Sequence, residues 1–360
     1  MGWYLLNILI LTIVYLWPNV NGTEKIANSM SVAKKKAICI VGSTIWILLS
    51  GLRHISIGND TLNYRDMFGR VENRSWAYLL GQVKEKFING EDILDPGFFV
   101  FNKIMSVFTR NYQIYLILFA ILFFTIFGFF VYKFSANPYI SYVLFSCLFY
   151  SFYALTGLRQ TLATAIVVFL GVLCIKKRNL ILFLILMAIG MTIHFSSLCF
   201  LPFYFLSKIK INFKTLTFYW IAIVAAFVGR YNLLSIMQSI AGYEEYVDYE
   251  GARAGIFMLL LLCVAAFVTV FHKKILENNS NASININAIM MSCIFVPLSL
   301  INQSLMRIVY YYALFLMFMI PDIKGVFAKN NDKKIFELVA VLVMVVLLID
   351  NNPTYMFFWQ

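Results

Sequence analysis

The sequence predicts an all-α polytopic membrane protein with about twelve transmembrane helices and one large outer segment. Three observations carry this. The 360 residues are 61% hydrophobic and only 13% charged, about half the charged share usual in soluble domains. The mean hydropathy is +0.80. Apolar runs of membrane-spanning character recur along the chain, separated by short lysine clusters. A soluble enzyme is excluded. So is a nucleic-acid binder, because the net charge of +12 is parcelled between apolar runs instead of forming one basic face. Residues 1–360 read as a single integral membrane domain.

The first run, 2–18, lacks a basic n-region and a small-x-small cleavage site, so it reads as a retained helix. Further helices are expected near 37–51, 113–132, 139–157, 160–175, 180–206, 215–232, 254–271, 288–301, 304–320 and 335–350. The run 180–206 has 27 residues. As one helix it would be about 40 Å long against a hydrocarbon core of about 30 Å. A polar break, Thr192-Ile193-His194-Phe195-Ser196-Ser197, divides it.

The positive-inside rule decides between one helix and two. With two short helices meeting near His194, the lysine clusters at Lys25, Lys34–Lys36, Lys133, Lys176–Arg178, Lys208–Lys214, Lys273–Lys274 and Lys324–Lys334 all fall on one side. With one helix, every cluster after 206 would flip. Two helices give twelve spans with both termini outside. The inner loops then hold 16 Lys and 1 Arg against 5 acids, and the outer segments 3 Lys and 9 Arg against 12 acids.

Lysine suffices to hold a loop inside, whereas arginine offers a flat, permanently charged fork for phosphate. The arginine-rich outer face therefore suggests an anionic ligand there. Arg65, Arg70, Arg74 and Arg253 have acids nearby in sequence and could simply pair with them. Arg159, Arg230 and Arg307 have none within ten residues. A snorkelling arginine at a helix end is the plainer reading of these three.

Residues 52–112 form the largest outer segment, with 15 charges in 61 residues. Gly58-Asn59 signals a turn, and Asp60-Thr61 can cap the following helix. Alternatively Arg53, Asp60, Asn63 and Tyr64 line a polar cleft. Asp95-Pro96-Gly97-Phe98 is another turn or helix start, and the short apolar stretch 97–108 suits an interfacial helix. A second outer loop spans 233–253. It contains Tyr243-Glu244-Glu245-Tyr246, Asp248, Tyr249 and Glu250, which fit either a solvated loop or a sugar-stacking surface.

Thr156-Gly157-Leu158-Arg159-Gln160-Thr161 makes a tight turn, putting Arg159 and Gln160 at or just inside the outer surface. His194 interrupts an apolar run at that face, where a near-neutral pKa suits a base or a phosphate donor. It could equally be a satisfied core histidine. His272 reads as an inner-loop residue, and His54 adjoins Arg53. In Asn302-Gln303-Ser304-Leu305-Met306-Arg307, the arginine lies about one turn inside a helix with Tyr311 at i+4. The six cysteines sit in or beside apolar runs without metal-ligand spacing and read as small core residues. No phosphate-binding glycine loop, zinc motif or nucleophile elbow occurs. No metal or cofactor is expected.

At this point the chain resembles the EpsG-like branch of the Wzy-type polysaccharide polymerases. The resemblance rests on Leu52-Arg53 with Gly58-Asn59-Asp60-Thr61-x-Asn63-Tyr64, on Asp95-Pro96-Gly97-Phe98, on Leu158-Arg159-Gln160-x-Leu162-Ala163, and on His194-x-Ser196-x-Leu198 with Pro202. A weaker fifth is Arg307-x-x-Tyr310-Tyr311. Asn59 departs from the small or Thr residue usual before the Asp. The resemblance implies a glycosyltransferase-C-like, metal-independent enzyme of the bacterial inner membrane, multi-pass and acting on the periplasmic side. It would transfer a growing glycan from undecaprenyl pyrophosphate to a lipid-linked repeat unit, as an O-antigen polymerase. Its companions would be a flippase and a chain-length regulator, within the lipid bilayer.

In that chemistry Arg159 and Arg307, with Arg53 as a third cation, would meet the pyrophosphate charge. His194 first and Asp60 second would be the base. Tyr64, Asn63, Gln160, Tyr311 and Arg230 would orient sugar or phosphate. Rival readings are a lipid-linked oligosaccharide flippase, an O-antigen ligase and a membrane O-acyltransferase. The outer location of the motifs argues against the first, and the lack of a well-placed inner histidine against the last.

Overall fold

The computed structural model describes residues 1–17, 30–241 and 254–360, and within them every regular element is helical. Polar breaks between apolar runs start the helices. Ser31 accepts from Lys34 N at the head of α2, Val32–Gly51, which follows α1, Gly2–Leu16. Thr61–Glu72 (α3), Trp76–Lys84 (α4) and Pro96–Phe108 (α5) make up the segment expected to lie outside. Asn111 caps Tyr112–Phe134 (α6), and Asn137, with Pro138 in the first turn, caps Pro138–Leu144 (α7). The latter runs on through π turns at Phe145–Phe149 and Ser151–Thr156.

Leu158–Thr164 (α8) continues through a π turn at Ala165–Leu170 into Gly171–Lys176 (α9). Asn179 caps Leu180–Ile193 (α10). After His194 come a 3₁₀ stretch, Phe195–Phe200, and Phe203–Leu206 (α11). An Asn212/Thr215 capping box opens Phe213–Val228 (α12), followed by Arg230–Ala241 (α13). Ala254–Asn278 (α14), Ala282–Ser299 (α15), Met306–Ala313 (α16), Leu316–Ile323 (α17) and Asn330–Asp350 (α18) complete the chain.

The break at His194 is a reversal. His194 adopts an extended backbone, φ −156° and ψ 109°. Phe183, near the start of α10, packs against Tyr204 in α11 at 5.1 Å between ring centroids. Residues on either side of the break can meet this way only if the chain doubles back, as two short helices require.

The described lysine clusters gather at one end. Lys34 lies over the Tyr15 ring, Lys35 over Tyr132 and Lys176 over Phe134. Glu337 collects Lys324, Asn137 and Tyr15. Asn287 bonds the carbonyls beside Lys208, while Asn285 and Asn279 bond Asp322. Asn278 ties the end of α14 to Gly325. At the opposite end the N-terminal amine donates to Pro353 O, and Trp3 packs on Phe357.

Four helices are long and apolar enough to cross a membrane: Tyr112–Phe134, Leu158–Lys176, Gly255–Asn278 and Ala282–Ser299. The number is six if two bent pairs each count as one span. By this measure the expected twelve is not reached among the described residues, because breaks at His194, Gly229 and Leu314–Phe315 leave individually short helices. One bent pair, α12 with α13, turns by 86° at Gly229, so the expected helix 215–232 is cut short.

Three smaller expectations change. His272 is no loop residue; it is buried inside α14 and bonds the Thr269 carbonyl through Nδ1 at 2.8 Å. Cys263 is exposed, while Cys39, Cys147, Cys174 and Cys293 are buried. Asp60 holds the N-cap position of α3 but makes no side-chain cap bond, and Thr61 Oγ1 instead donates to Ile57 O at 2.6 Å. The Tyr243–Glu250 loop, Arg253 and Lys25 lie outside the described residues.

Candidate functional site

Asp95 is the hub. It precedes Pro96 at the head of α5 in the left-handed region, φ 44°, and is 1% exposed. Gly97 explains how this helix end reaches α10. A Cβ there would run into the Thr192 side chain and, at 2.7 Å, its carbonyl carbon. Only glycine lets the two backbones approach this closely. The contact sets Asp95 beside the reversal at His194.

Three donors converge on the carboxylate. Arg159 Nη1 donates to Oδ2 at 2.7 Å. His194 Nδ1 lies 3.0 Å from the same oxygen, and Phe195 N donates to Oδ1 at 3.3 Å. Burial works to raise the carboxyl, but the hydrogen bond of His194, the charge of Arg159 and the Phe195 amide outweigh it. Asp95 is therefore held below the usual carboxylate range and ionised. With the Nδ1 proton directed at Asp95, the Nε2 lone pair of His194 is left to accept a proton.

Arg159 comes from the restart of the helix after Gly157, in the second position of α8. Opposite, Gly58 holds φ 93° and permits a close approach to Leu155 O, which pins the 54–60 turn to the π segment before that restart. This brings α3 in, and the Arg159 guanidinium lies 6.0 Å from the Tyr64 ring centroid. Tyr64 is 4% exposed and packs on Phe98. Asp60, half-buried one turn earlier, acts on the Tyr64 hydroxyl by its charge.

The far wall comes from α16. Gln160 Nε2 donates to Arg307 O at 2.6 Å. Tyr311 OH lies 3.3 Å from Ser196 Oγ, two residues past His194. Arg307 is half-buried in the first turn, its charge reaches His194, and it forms no ion pair among the described residues.

The structure thus brings together His194, Arg159, Tyr64, Gln160, Arg307 and Tyr311, with Asp60 at the edge. Three expected residues lie elsewhere. Arg53 is 1% exposed and donates to Ser50 O, Ser50 Oγ and Ala154 O, beside the C-terminal segment. Arg230 bonds Phe227 O and lies over the Tyr231 ring at the α12–α13 bend. Asn63 is exposed and makes no hydrogen bond among the described residues. Asp95 was legible as a turn or helix start within a motif of the resemblance, and not as a site residue. The signal for more was Arg159, a near-buried cation without a local acid, whose partner stands 64 residues away.

Residues 36–359 match the family model described as the EpsG family. No curated protein and no solved structure matches the chain. The match covers most of the 360 residues, so the chain belongs to the EpsG family. Membership suggests a membrane glycosyl polymerase-like role, since the family is associated with glycosyltransferase-like polymerase activity.

Proposed function

We propose that this EpsG-family chain is an inner-membrane polysaccharide polymerase. It transfers a growing glycan from undecaprenyl pyrophosphate to a lipid-linked repeat unit on the periplasmic side, with O-antigen as product. The observation that carries the proposal is the Asp95–His194–Arg159 cluster at the end of the helices remote from the lysine clusters. The reversal at His194 is what twelve passes require, and by the positive-inside rule a cluster remote from the lysines supports an outer site.

In the proposed step the acceptor hydroxyl oxygen bonds to the donor's anomeric carbon. The bond from that carbon to the pyrophosphate oxygen breaks, and its electron pair leaves with the lipid pyrophosphate. His194 Nε2 takes the hydroxyl proton, while Asp95 holds the ring and stabilises the imidazolium that forms. Arg307, with no acid partner among the described residues, and Arg159 meet the leaving group's charge at a site shielded from water. Tyr64, Tyr311 and Gln160 shape the walls. Asp60 is a second carboxylate near the acceptor side.

The test is deletion of the gene in its host, with surface polysaccharide run on a gel. Complementation uses wild type, Arg159→Ala and His194→Ala. Collapse of the ladder to a single repeat, restored by wild type alone, supports the proposal. Loss of every repeat turns the reading to a flippase or ligase. An unchanged ladder overturns it.

A further inference from the structure

Lys86 is one of three lysines in the segment 52–112. It is half-buried in the π turn Glu85–Asn89 that closes α4. Its ammonium donates to Ile93 O, two residues before Asp95, and lies 5.9 Å from the centroid of the Phe195 ring. Phe195 is the residue whose amide donates to Asp95 Oδ1. Lys86 therefore bridges the turn that precedes the site's acid and the residue that follows its histidine.

Acids surround Lys86 in sequence at Glu85, Glu91 and Asp92, yet it pairs with none of them. Glu85 instead accepts from Asn89 Nδ2. An ammonium has three donors, and a single carbonyl uses one. Among the described residues this half-buried cation has no acid partner, which leaves its remaining donors open to an anion. The Asp95 carboxylate is already covered by Arg159, His194 and Phe195, so it does not fill that role.

We infer that Lys86 is a further substrate-binding residue of this site, contacting phosphate oxygens of the lipid-linked donor beside Arg307. This rests on the polymerase reading above. A flexible ammonium suits a phosphate that shifts as its bond to sugar breaks, whereas the arginine forks fix geometry.

The test is equilibrium binding of undecaprenyl pyrophosphate, and of undecaprenol lacking phosphate, to the purified full chain in nanodiscs. Variants are Lys86→Met, Lys86→Arg and Arg307→Ala. Lys86→Met is expected to bind the pyrophosphate about tenfold more weakly, the loss of one charge-assisted contact. Lys86→Arg should bind like wild type, and undecaprenol binding should not change. If Lys86→Met binds like wild type while Arg307→Ala is weakened, the inference is overturned and the polymerase reading stands. If Lys86→Met weakens both lipids alike, the residue only closes its loop, which also overturns the inference. If neither variant affects the pyrophosphate, the polymerase reading fails with it.

Discussion

Asp95 Oδ2 and His194 Nδ1 lie 3.0 Å apart although 99 residues separate them in sequence. The same oxygen takes the Arg159 guanidinium at 2.7 Å, so one carboxylate orients both the proposed base and a proposed cation. Asp95→Asn removes the charge from both bonds and can leave an amide N–H facing His194 Nδ1. The Nε2 lone pair is then no longer assured, and a nearly buried guanidinium loses its counter-charge. Polymer formation by Asp95→Asn is expected to fall by about a hundredfold or more. Quantifying chain product in membranes holding equal amounts of protein checks this. Near-normal product would remove Asp95 from the mechanism.

The same residue sets a pH dependence of stability. Its folded carboxyl is held below the usual range, so its stabilising effect is full above that range. The effect is lost as pH falls through the lowered value. Thermal unfolding of the purified protein should therefore be flat around neutrality and drop in acid. The drop should shrink in Asp95→Asn. An equal acid drop in both would place the sensitivity on other groups.

Gly97→Ala tests the contact that positions Asp95. The added methyl meets Thr192 side chain and backbone, so no rotamer change relieves it. Overpacking of this kind costs about 1–3 kcal/mol. The displacement should also move Asp95 from His194, lowering both stability and product. Gly69→Ala in α3 is the control, because nothing lies within 4 Å of its added methyl. That variant should be as stable as wild type or slightly more so. If Gly97→Ala behaves like Gly69→Ala in melting and in product, the close approach is not what holds the site.

Much of this arrangement was readable from the chain. The apolar runs located most of the longer helices, and the lysine count required the reversal at His194 that the Phe183–Tyr204 contact displays. The outer arginines and His194 were singled out as candidates on charge and position. What could not be read was pairing across distance. Arg159 has no acid within ten residues, and nothing local says that Asp95 would be delivered to it by Gly97 packing on Thr192. Local rules also misled at Asp60-Thr61, where cap residue types stand at a cap position. Tertiary contacts drew the threonine to Ile57 O and left Asp60 without a cap bond. Arg53 shows the complementary limit, since a motif arginine can be spent on backbone carbonyls.

Arg53 yields the last prediction. Its guanidinium is buried among Tyr4, Tyr112, Tyr115 and Tyr355, and it bonds Ser50 and Ala154 carbonyls. The adjoining backbone pairs with the C-terminal segment: His54 N donates to Met356 O, and Phe358 N to Leu52 O. Arg53 thus stands where the ends of α2, the π segment before Gly157 and the C-terminal segment meet. All three contacts come from one nitrogen, Nη1, and lysine keeps the charge but ends in a compact ammonium that does not set a donor at the same point. Arg53→Lys is therefore expected to lower the melting temperature by several degrees and reduce membrane protein levels. Product per folded molecule should fall much less than in Arg159→Lys. Melting curves and product normalised to folded protein separate the two effects. If Arg53→Lys melts like wild type yet makes no polymer, the arginine acts on the substrate directly, and its bonds to Ser50 and Ala154 must open during the reaction.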